Sequence, residues 1–114
     1  MLSEHVDFEL GIDFFGGRES LFYKYLFLFP NDDSIMSLKE GYSSRDIDKI
    51  YKSAHHLKGL SGNIHIHTIY TSSMELIVAC KDKNYNLIFL LCKNLIIQLE
   101  TVSKLIIQFQ NEQL

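Results

Sequence analysis

Between Ile47 and Ile64 the apolar residues Ile47, Ile50, Tyr51, Ala54, Leu57 and Ile64 recur at three- and four-residue steps, the spacing of one buried helical face. Helix signals of this kind fill most of the chain, with almost no strand signal beside them. Such stripes are stable only when packed against one another, so the expected class is all-α. With 114 residues, 46% of them hydrophobic, the chain fits a single domain, 1–114, with a substantial core and no room for a second.

Turn and capping residues divide the pattern. A first helix is expected over about 3–15, stopped by Gly16-Gly17, and a second over about 18–29, closed by Pro30. Asn31, Asp32 and Asp33 offer caps for a short helix over about 33–40 that Gly41 terminates. Ser43 or Ser44 can cap the next helix, about 45–63. Two more follow, about 66–81 and 86–112, around the polar turn Lys81-Asp82-Lys83-Asn84. Short loops between long amphipathic segments favour an up-and-down antiparallel four-helix bundle with additional N-terminal helices.

Composition removes several function classes. The net charge of −3 and eleven scattered basic residues argue against nucleic-acid binding, which needs clustered cations. Cys80 and Cys92 stand apart in apolar surroundings without metal or redox spacing, so they read as reduced core residues of a cytosolic protein. The N-terminus is acidic where a secretory leader is basic. The most apolar stretch, Leu87 to Phe109, is broken by Lys93, Glu100 and Lys104, so no membrane segment and a cytoplasmic location are expected.

The run Ala54 to Ile64, A-H-H-L-K-G-L-S-G-N-I, carries the chemistry. On a helix His55, Lys58, Gly59 and Gly62 fall at i, i+3, i+4 and i+7 and share one face. His55 follows the core residue Ala54 by about 100°, so its imidazole stands beside the buried stripe, open to another molecule. Glycine in a helix costs roughly 1 kcal/mol against alanine, and two within four positions imply a steric purpose. Lys58 can set an ammonium near a phosphoryl group held on His55, while His56 points a further 100° or so round, toward ordinary surface. Neither G-x-x-x-x-G-K-[ST] nor G-x-G-x-x-G, the loops that cradle nucleotide phosphates, occurs in the chain.

This run resembles the H-x-L-K-G signature of histidine-containing phosphotransfer domains, the helical intermediates of multistep phosphorelays. Other parts are similar too: Asp46 stands where the family commonly opens its active helix with an acidic residue, Met74-Glu75 resembles a recurrent Leu-Glu pair, and G-G-R-E-S-L-F-Y-K-Y-L-F-L-F from Gly16 resembles the opening glycine and aromatic helix. The likeness runs roughly from Ile12 to Leu105, and it departs at His65, where the family usually has glycine. The resemblance implies a phosphocarrier, rather than an ATP-dependent kinase, with His55 as phosphoacceptor, Lys58 stabilising the phosphate charge and Gly59 clearing the approach. It implies a response-regulator receiver domain and a hybrid sensor histidine kinase as partners, Mg²⁺ on the receiver, no cofactor of its own, and a monomer.

Lys52, Gly62, Asn63, Tyr25 and Phe22 are the candidate binding residues around this centre, with Leu21 and Leu26 as further neighbours. The aromatic stretch Phe22 to Phe29 reads as core first and docking patch second. Two other functions remain open: a helical scaffold that binds receivers without carrying phosphate, and a metal-binding protein using His55, His56, His65 and His67.

Overall fold

A computed structural model describes residues 1–113. Six α-helices account for most of them: α1 (Phe8–Phe14), α2 (Glu19–Leu28), α3 (Asp33–Ser44), α4 (Ile47–Asn63), α5 (His67–Lys81) and α6 (Tyr85–Glu112), with 3₁₀ turns at Leu2–Glu4 and Phe29–Asn31. The fold is all-helical, as the periodicity predicts. Helix α3 packs on α4 and α6, and α5 on α4 and α6, so the last four helices close a ring. Only a few residues join each consecutive pair of these four helices, and each packs beside the next in sequence. Inside the ring Leu38, Ile50, Leu57, Ile69, Leu76, Ile88, Leu95 and Leu99 are wholly buried. Each such side chain contributes about 1.5–3 kcal/mol of transfer free energy. Helix α6, with 28 residues, spans about 42 Å at 1.5 Å per residue and sets the long dimension of the molecule, 42 Å.

Short polar side chains start the helices. Asp7, Asp32 and Asp46 accept the amides of Leu10, Ser34 and Lys49, and Asn84 accepts that of Leu87. Asp46 therefore opens α4, the helix that bears His55. The expected serine cap is displaced: Ser43 and Ser44 lie in the last turn of α3, where the Ser44 hydroxyl donates to the Glu40 carbonyl. Nor does Gly41 stop α3. It is buried within that helix because a Cβ there would come 3.1 Å from Ile50 Cγ1 and 3.2 Å from the Ile50 nitrogen, and only glycine lets α4 approach so closely.

The expected first helix is also divided. After the Leu2–Glu4 turn, Val6 forms an isolated antiparallel bridge with Ile66, and the Asp7 amide donates to the His65 carbonyl at 2.9 Å. Only then does α1 begin. It ends at the glycine pair as predicted, Gly16 and Gly17 having φ of +68° and +79°.

Candidate functional site

Helix α4 separates two environments. On one side His55 is exposed, and its ring lies 6.0 Å from that of Tyr51, one turn earlier, tilted by 59°. Lys58 is half-buried and makes no ion pair among the described residues. Gly59 is exposed, and a Cβ built on it would meet nothing within 4 Å. The protein's own packing therefore gives no reason for glycine there. Gly62 differs, because its added Cβ would lie 3.3 Å from the Tyr70 ring of α5, so this glycine fits α4 against its neighbour. Asn63 ends the helix and is exposed.

On the other side His56 Nε2 sits 3.3 Å from the Asp32 carboxylate, which also accepts the Ser34 amide and hydroxyl at the start of α3. A cleft of about 590 Å³ opens here between the starts of α3 and α4. Lys52 belongs to this cleft: its ammonium is 3.0 Å from Asp48, in an exposed pair worth about 0.3–0.5 kcal/mol. Lys52, a candidate binding residue, is thus paired with a carboxylate in the cleft that His56 lines, while Lys58 has no ion-pair partner among the described residues.

The aromatic candidates divide by burial. Phe22 and Leu26 are 0% exposed, so the expectation that they border a docking surface is corrected: both are core, and Phe22 packs so tightly that a Cβ on Gly11 would fall 2.2 Å from its ring. Tyr25 is 40% exposed and stacks on Phe15 at 5.4 Å, and Leu21 is half-buried. Two residues with a direct hold on the histidine pair, Tyr51 and Asp32, escaped the sequence reading. Tyr51 does pack against the core, as its place in the stripe implies, but from i−4 its ring also lies beside His55, while nothing local links Asp32 to His56.

The four histidines do not converge. His65 meets the Phe14 ring at 6.1 Å and lines a pocket of about 280 Å³ with His67 and Tyr70, whereas His55 lies beside Tyr51 and His56 beside Asp32. Among the described residues no group of three or more His, Cys, Asp or Glu side chains could hold a metal ion. His65 has φ +55°, the left-handed conformation glycine adopts most easily, and it closes the end of α4. His5 bonds through Nδ1 to Thr68 Oγ1 at 2.8 Å, and removal from water lowers its pKa below 6.5. Cys80 and Cys92 are free and buried; burial pushes the Cys92 thiol up to about 12, far from the thiolate that reactivity needs. Among the described residues no helix is long and apolar enough to cross a membrane.

No family model, curated protein or solved structure matches the chain.

Proposed function

We propose that the protein is a histidine phosphotransfer protein, receiving a phosphoryl group on His55 from the aspartyl phosphate of a receiver domain and returning it in the same way. The observation that carries this reading is Gly59: a glycine in mid-helix, in open space, one turn from an exposed imidazole and next to an unpaired lysine. The ring of four helices, with α4 capped by Asp46, supports an up-and-down bundle of the phosphotransfer type. In the step itself an imidazole nitrogen attacks phosphorus, a P–N bond forms, and the P–O bond to the aspartate breaks to release its carboxylate. The other ring nitrogen can then give up its proton. Lys58 offsets the phosphoryl charge, and alignment supplies most of the rest. The receiver brings the Mg²⁺, and a hybrid sensor kinase is the upstream source.

Transfer of radiolabelled phosphate from a panel of phosphorylated receivers to wild type, His55→Gln and His56→Gln tests this. Alkali-stable, acid-labile label lost only in His55→Gln is expected. Loss only in His56→Gln would move the acceptor to the Asp32 cleft. A folded protein that binds receivers tightly yet takes no label would be a scaffold.

A further inference from the structure

Away from the His55 face, the outer side of α5 and the first two turns of α6 leave an apolar groove of about 530 Å³. Met74 and Val78 form one wall, one helical turn apart, and Leu87 and Leu91 the other. Met74, Val78 and Leu87 are 40%, 54% and 38% exposed, and none of them serves the core. The only charged residues lining the groove are acidic, Glu75 and Asp82. Neither reaches a cation within ion-pair distance among the described residues, and neither caps a helix start. Asp82 even stands just past the C-terminus of α5, where the helix dipole opposes negative charge. Local stability thus explains neither the exposed apolar walls nor the carboxylates.

We infer that this groove docks an amphipathic helix of a partner protein, with an apolar stripe flanked by lysine or arginine. Paired ridges at one-turn spacing accept anchors at i, i+4 and i+7, and from Thr71 to Asp82 the wall runs about 16 Å, three helical turns. The rim carboxylates select the basic flank. A second copy of the chain fits less well, because twofold pairing sets the same acidic rim against itself in a protein already at −3. No α4 residue lines the groove, so its occupant leaves His55 accessible.

The test titrates the full chain into two fluorescein-labelled synthetic helical peptides that share one leucine stripe and carry either lysine or glutamate flanks. Saturable binding is expected, about tenfold tighter for the lysine peptide and weakened by salt. Val78→Glu should abolish it with helical content and Tm unchanged, and the double variant Glu75→Lys, Asp82→Lys should reverse the preference. His55→Gln should bind like wild type, so the result is independent of phosphotransfer. Equal binding of both peptides, no saturable binding, or indifference to Val78→Glu would overturn the inference. A concentration-dependent dimer in sedimentation velocity that Val78→Glu dissolves would also overturn it, assigning the face to a second copy.

Discussion

An alanine at position 59 would put its methyl group in open space and remove the backbone freedom that makes glycine costly in a helix. Gly59→Ala is therefore expected to raise the unfolding free energy by about 1 kcal/mol in urea denaturation. It should also slow phosphoryl transfer to His55 roughly tenfold, as about 1.4 kcal/mol of impeded approach would do. A variant that gains stability at full transfer speed would return Gly59 to an unremarkable surface position. His5 gives the second prediction at this scale. Its burial lowers the folded-state pKa below 6.5; the Glu4 carboxylate opposes that shift, and repulsion from the N-terminal ammonium and His67 adds to it. The unfolded chain then binds the proton more readily, so this contribution to stability is complete above pH 6.5 and is lost as pH falls through the lowered folded value. The midpoint of thermal unfolding should fall more steeply between pH 7 and 5 in wild type than in His5→Asn.

Four helix ends share one closure. Gly16, Arg45, His65 and Lys83 all have positive φ, and the residue after each donates its amide five residues back, Gly17 to Ile12, Asp46 to Gly41, Ile66 to Ser61 and Asn84 to Ala79. Only the first uses glycine, and there the glycine stop read from the sequence is the residue that makes the turn. The end of α3 was misplaced because Gly41 was taken as the stop, when Arg45 makes the turn and Gly41 admits Ile50. Placement of the later helices survived because the apolar spacing needs no help from their ends. The left-handed conformation costs a non-glycine residue about 1–2 kcal/mol, while glycine loses about 0.5–1 kcal/mol more chain entropy on folding. Lys83→Gly, at an exposed turn, is thus expected to stabilise by about 0.5–1 kcal/mol in urea denaturation. Gly41→Ala should do the reverse, costing about 1–3 kcal/mol, because its Cβ meets backbone as well as a side chain.

At the scale of the molecule, the ring of α3 to α6 was legible because each helix packs beside the next in sequence, and short connections leave few alternatives. The His55, Lys58 and Gly59 face was legible for the same reason, since one helix carries all three. The amino-terminal path was not: Val6 meets Ile66, and His5 meets Thr68 from 63 residues away, so no local pattern marks the break in the first helix. That distant tie has a kinetic meaning. Neighbouring helices can associate through local contacts, whereas the Asp7 amide reaches the His65 carbonyl only after α4 and α5 have made their turn and a long loop has closed. In pulse-labelled hydrogen exchange the Asp7 amide should gain protection after those of Leu57 and Leu95, and in the native state it should lose protection first. Opening by that route would free the chain's first seven residues while the helical ring stays closed, so the amino terminus can come and go without the protein unfolding.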